Sequence, residues 1–160
     1  MATQTASSVQ EQQLVVFRLG NEKYGIDIER VQGIERMQKV TVVPHAPHFV
    51  EGVINLRGQI TPVMNLRTRF GFDKVEATKE TRIVVVRMAE QWVGLVVDGV
   101  AGVQRLTSDH VEPPSDFVRS AESEYLRGIA KIEGGLLILL DLDKVLSGRE
   151  ATELAGAQAA

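Results

Sequence analysis

The chain has 160 residues and a formal net charge of −3, with 44% hydrophobic, 24% charged and 5% aromatic residues. Such proportions fit one compact globular unit, or two small ones sharing a core, and exclude an intrinsically disordered chain. Mild acidity with few aromatics argues against nucleic-acid binding, and the absence of cysteine removes disulfides, thiol catalysis and Cys-ligated metals.

Residues 1–12 are polar, without the basic start or apolar stretch of a signal peptide, and read as a flexible tail. The 22 Val and 9 Ile, stiff at χ1 and suited to a pleated surface, fall in short blocks separated by turn residues. Leu14–Leu19 and Tyr24–Ile28 flank Gly20-Asn21-Glu22-Lys23 and read as a hairpin. A second hairpin runs from Gly52 through Ile60 with a tight Arg57-Gly58 turn, where Gly58 suits positive φ. Pro62 cannot donate to a ladder, so its strand is expected at an edge or a bulge. Asn65–Phe70 forms a short helical turn capped by Asn65 and stopped by Gly71. The charged stretch 72–81 is an exposed connection, Ile83–Met88 and Trp92–Val97 form a third hairpin, and Pro113–Asp116 is an exposed loop. The longest unbroken apolar run, Leu136–Leu140, is far short of the roughly 20 residues of a spanning helix, so no membrane insertion is expected. Asp141–Leu146 again suggests a helical turn, followed by a C-terminal helix or tail over 149–160. The expected class is mainly all-β.

An internal repeat organises these elements. Shifted by 69 positions, Leu14–Pro44 overlays Ile83–Pro113 with nine identities in 31 pairs, where composition alone gives about two. They include Gly25/Gly94, Val31/Val100, Gly33/Gly102, Arg36/Arg105 and Pro44/Pro113. After an insertion the shift becomes 76, and Gly52–Phe70 overlays Gly128–Leu146, pairing Gly58 with Gly134 and Asn65 with Asp141. Each copy holds about five short strands, too few to cover both faces of an open sheet. Two small closed barrels are the economical solution, the first over about 13–71 and the second over about 82–148.

Residues suited to chemistry are few. His45-Ala46-Pro47-His48 has a His-x-x-His spacing, but Pro47 prevents a regular helix from presenting both rings. Asp141 and Asp143 suit helix capping better than a carboxylate pair, and Asp98 is expected to open a turn. No phosphate-binding glycine loop or nucleophile elbow occurs, so no catalytic residue, metal or cofactor is assigned. Charge is more informative. Residues 14–70 carry a net +3 and residues 83–146 a net −4, a pattern suited to head-to-tail association. The Arg57-Gly58 tip has Glu133-Gly134 as its counterpart. Read alone, Arg57 is a solvated turn residue.

Gly52-Val53-Ile54-Asn55-Leu56-Arg57-Gly58, continued by Ile60, Pro62-Val63 and Leu66, resembles the signature of the CheW family of bacterial chemotaxis coupling proteins. Phe17, Gly25, Val31, Ile34, Val43-Pro44 and Gly94-Leu95 through Val100 extend the match over residues 12–148. The resemblance implies two five-stranded SH3-like barrels packed on each other. It further implies a non-enzymatic cytoplasmic adaptor, recruited to receptor arrays at the inner membrane, that joins the chemoreceptor cytoplasmic domain to a CheA-type histidine kinase. By position, Asn55, Leu56, Arg57 and Gly58 belong to the receptor- and kinase-binding region, with Val31 and Gly52 as weaker matches. Two residues depart from the family pattern: Gly33 stands where an acidic residue is common, and Asn65 where many members have Asp. A coupling module of a non-swimming pathway, such as one controlling pili, is the alternative; a small-barrel nucleic-acid binder is the alternative from another class.

Overall fold

A computed structural model describes residues 11–88, 90–113 and 125–145 of the chain. The expected C-terminal helix, the Pro114–Asp116 part of the expected loop and most of the expected N-terminal tail lie outside these residues. The tail expectation is corrected at its end. Glu11 and Gln12 already belong to the first strand, and Gln12 Oε1 accepts a hydrogen bond from Arg127 at 2.6 Å.

Strands dominate, as expected. They are β1 (Glu11–Leu19), β2 (Glu22–Asp27), β3 (Val31–Arg36), β4 (Val50–Leu56), β5 (Gln59–Asn65), β6 (Arg82–Met88), β7 (Gln91–Val97), β8 (Gly99–Thr107), β9 (Val111–Glu112), β10 (Leu126–Ile132) and β11 (Gly135–Leu140). One four-residue helix, α1 (Leu66–Arg69), follows β5. Two sheets form, in the orders β8-β1-β2-β11-β10-β9 and β3-β6-β7-β5-β4. The first has six strands rather than the expected five, because Val111–Glu112 adds a short one.

The sheets do not follow the repeat boundaries, and this corrects the division into barrels at 13–71 and 82–148. Hairpin β1–β2 of the first copy sits among β8, β10 and β11 of the second, while β6–β7 sits among β3, β4 and β5 of the first. Among the described residues, 11–28 join 101–113 and 125–145 in one compact unit, and 29–88 with 90–100 form the other. The reason is reach. Within its own copy β3 would lie beside β1, starting opposite Phe17 by analogy with the Val31–Val86 register. That is two strand spacings, about 10 Å, sideways, and also back along the sheet from the end of β2. The connection is one 3-10 turn, Ile28–Arg30, which rises only about 2 Å per residue. It carries β3 onward into the other unit instead.

Both units keep the same internal plan. Parallel pairing sets Leu139 against Gly25 in one and Val63 against Gly94 in the other. One core gathers Leu14, Val16, Leu106, Ala130 and Leu139; the other gathers Ile83, Val85, Met37, Ile54 and Val63 at the equivalent repeat positions. Each fully buried aliphatic side chain contributes about 1.5–3 kcal/mol relative to exposure.

Pro62 lies on an interior strand, not at an edge, but one pair from the β4 bulge at Gly52, the other expected setting. Its opposite residue, Val53, spends both its N–H and its C=O on Thr41, at 2.8 and 2.9 Å. Pro62 therefore faces β4 where no ladder bond is needed, and the pairing of β5 with β7 begins only at Val63. Helix α1 ends as expected. Asn65 Oδ1 accepts from Thr68 N–H at 3.2 Å, while Phe72 N–H donates to Arg67 C=O and Gly71 N–H to Thr68 C=O, a Schellman closure. The later counterpart is a 3-10 turn, Leu142–Lys144, with Asp141 accepting from Asp143 N–H at 3.0 Å.

Candidate partner-binding site

The β4–β5 hairpin builds the site. Leu56 pairs with Gln59, leaving two turn residues between them, and Arg57 and Gly58 adopt φ of 54° and 88°. Left-handed backbone at both central positions matches the right-handed twist of the strands, the type I′ arrangement. Gly58 takes this freely, whereas a side chain at Arg57 costs about 1–2 kcal/mol. Asn55 offsets part of that by accepting the Gly58 N–H on Oδ1 at 2.8 Å. The turn thus holds a strained arginine at its apex, with 74% of the side chain exposed.

Glu35 reaches the same apex, its Oε2 lying 3.4 Å from Arg57 Nη2. It comes from β3, the opposite edge of the five-stranded sheet from β4, so the pair spans the seam between the two edges. The Thr41–Val53 backbone bridge closes the same seam further along. Gly33 adds no side chain here; a Cβ at that position would sit 3.7 Å from the Glu35 carboxylate. Ile34 and Ile60, 44% and 55% exposed, lie next to Glu35 on β3 and opposite Asn55 on β5. The sequence hid these two, because apolar residues matched across the repeat read as core.

The remaining expected site residues divide by burial. Asn55 and Gly58 are exposed, while Leu56 is half-buried and packs against the core of its own unit. Val31 is half-buried and pairs with Val86 beside a register shift. Gly52 is a backbone requirement of the hairpin. It is buried at φ 147° in the β4 bulge, where any Cβ would collide with the Thr41 carbonyl. It shapes the hairpin.

The equivalent tip of the other unit differs. Ile132 pairs with Gly135, and among the described residues the non-glycine positive φ values belong to His45, Arg57 and Glu90, so Glu133 is unstrained. Its flanking residues, Val103 and Leu136, are 58% and 52% exposed, matching Ile34 and Ile60 in the repeat. Among the described residues the Arg57 unit carries ten basic and eight acidic residues, and the Glu133 unit six and eight. The opposition of sign therefore persists although the hairpins are exchanged.

Residues considered for other chemistry are placed elsewhere. His45 is exposed, and His48 packs edge-on against Phe49 with ring centroids 5.7 Å apart. Asp98 does more than open a turn, since it accepts a 2.6 Å bond from Arg67 Nη1.

The described residues form a strand-built molecule of two pseudo-equivalent units with a strained basic hairpin tip, and none of their helices is long and apolar enough to cross a membrane. Comparison gives its family. The CheW-like domain matches residues 13–150. The Chemotaxis protein CheW of Klebsiella aerogenes is 40% identical over 87% of this chain and 84% of its own, and that of Treponema pallidum 36% identical over 89% and 86%. The crystal structure of the scaffolding protein TtCheW from Thermoanaerobacter tengcongensis superposes with a TM-score of 0.80 at 35% identity, covering 88% of this chain and 96% of that one. The chain belongs to the CheW family.

Proposed function

We propose that this chemotaxis adaptor links the cytoplasmic domain of a chemoreceptor to a CheA-type histidine kinase, without catalytic turnover of its own. Its place is the cytoplasm, at receptor arrays on the inner membrane. The observation that carries this reading is the apex at Arg57. Within the protein the strained, exposed Arg57 gains an exposed ion pair to Glu35 worth at most about 1 kcal/mol, whereas a partner with an acidic group and an apolar surface gains a charged contact there and an apolar one on exposed Ile60. Asn55 shapes the turn, Leu56 anchors it, Gly58 permits it, and Val31 supports the adjoining strand. The opposite charge of the two units supports a head-to-tail arrangement with the kinase, whose regulatory domain resembles this family in fold.

Co-sedimentation tests the proposal. The folded chain, a receptor cytoplasmic fragment and the kinase should form a ternary complex that assembles less when any one is omitted. A chain that melts normally yet retains neither partner would overturn it.

A further inference from the structure

Between α1 and β6 the chain runs as a strap, residues 72–80, outside the named strands, with every residue exposed. Beneath it lies a cavity of about 240 Å³, partly open to solvent, lined by Met37 and Val96 from the strands' side and by Val75 and Ala77 from the strap. Two contacts hold the near end of the strap. Lys74 Nζ lies 2.9 Å from Glu51 Oε2, and Arg67 Nε donates to the Asp73 carbonyl at 2.8 Å. At the far end Thr81 is buried, and its hydroxyl accepts the Thr78 N–H at 2.8 Å.

These fastenings are unequal. Arg67 also donates to Asp98, which lies outside the strap, so a second contact holds Arg67 in place. Lys74 pairs with a carboxylate on the strands, and its side chain is 63% exposed, so water and salt compete for it. Lifting residues 73–77 breaks this pair and one hydrogen bond but no strand pairing. Segments with few buried contacts open well below the free energy of global unfolding. Glu51 also accepts from Asn65 Nδ2 at 3.1 Å, which joins the fastening to the α1 cap and to the base of the hairpin that carries Arg57.

We infer that the strap is a lid, hinged at Gly71 and at the Thr78–Thr81 turn and latched by Lys74 on Glu51. Its opening widens access of small solutes to the strand-side wall of the cavity while the sheet stays folded.

The chain has no cysteine, so an installed thiol reads the opening directly. Val96→Cys puts a thiol on the cavity wall. Leu95→Cys, on the other face of β7 and fully buried, reports global unfolding. Toward a small aromatic disulfide, Val96→Cys should react at least about tenfold faster than Leu95→Cys, consistent with local rather than global opening. Lys74→Ala, or added salt, should raise the Val96→Cys rate severalfold with the melting temperature unchanged. If Val96→Cys itself melts early, Met37→Cys replaces it at the same cavity. Equal rates at the cavity and control positions, or a cavity rate indifferent to Lys74→Ala, would overturn the lid.

Discussion

At Arg57 three demands meet in one residue: a left-handed backbone, a charge and exposure. Variants separate them. Arg57→Gly removes the strain of about 1–2 kcal/mol but adds unfolded-state entropy of about 0.5–1 kcal/mol, and it loses an exposed ion pair worth at most about 1 kcal/mol. Its melting temperature should therefore stay within a few degrees of the parent. Arg57→Glu keeps the strain and sets a second carboxylate beside Glu35, so it should melt slightly lower. Partner binding should rank differently. Arg57→Gly loses attraction, while Arg57→Glu adds repulsion and should weaken assembly at least tenfold, or about 1.4 kcal/mol. Melting curves and pull-downs on the three proteins check both orders. Binding unchanged in Arg57→Glu would return Arg57 to the role of a solvated turn residue.

Tyr24 offers a second test at this scale, in the other unit. It is buried and stacks on Phe17 with ring centroids 5.9 Å apart. Burial, with Tyr125 and Glu22 adding to it, raises its phenol above the usual 10.0. The unfolded chain therefore releases this proton first as pH rises, so stability contributed by the neutral phenol is full below about pH 10 and lost above it. Tyr24→Phe should flatten the alkaline fall in melting temperature. An equally steep fall in the variant would place the cause elsewhere.

Among elements, the two bulged hairpins are pseudo-equivalent yet differ in tolerance. Both shift register at a glycine, Gly52 in β4 and Gly128 in β10. Gly52 combines φ of 147° with the Thr41 carbonyl directly beneath it, a rigid backbone atom. At Gly128, which has no positive φ, an added Cβ would meet the Val111 Cγ1 side-chain atom at 2.6 Å and the Glu112 carbonyl oxygen only at 3.0 Å, so a side-chain shift and a small backbone adjustment relieve most of it. Gly52→Ala should cost about 3 kcal/mol or more and Gly128→Ala distinctly less, because strain and backbone collision add at the first. Denaturant titration of both variants decides it. Similar costs would mean that β4 can shift away from Thr41.

For the whole molecule, exchange of hairpins makes the strap the most informative place to cut. Trypsin can reach Lys74 and Lys79, both exposed. Were the barrels divided at residues 71 and 82, the nicked pieces would be separate domains. In the observed order β3, β4 and β5 lie on one fragment and pair with β6 and β7 on the other, while β1–β2 pairs with later strands. A nick in the strap should therefore leave a complex that elutes as one species and separates only in denaturant. Separation under native conditions would contradict the exchanged pairing.

The repeat, the hairpins, the turn at Arg57-Gly58 and the Asn65 cap were legible from the sequence because each depends on neighbours within a few residues. Strand alternation, turn glycines and capping side chains act locally, and matching glycines and prolines carry the duplication. Local pattern could not say which copy supplies a strand's partner, because the two hairpins offer nearly the same edges. The reach of the Ile28–Arg30 turn decided that. For the same reason Glu35 beside Arg57, exposed Ile34, and Pro62 on an interior strand emerged only in three dimensions. Each depends on residues distant in sequence, brought together when the edges of a sheet meet.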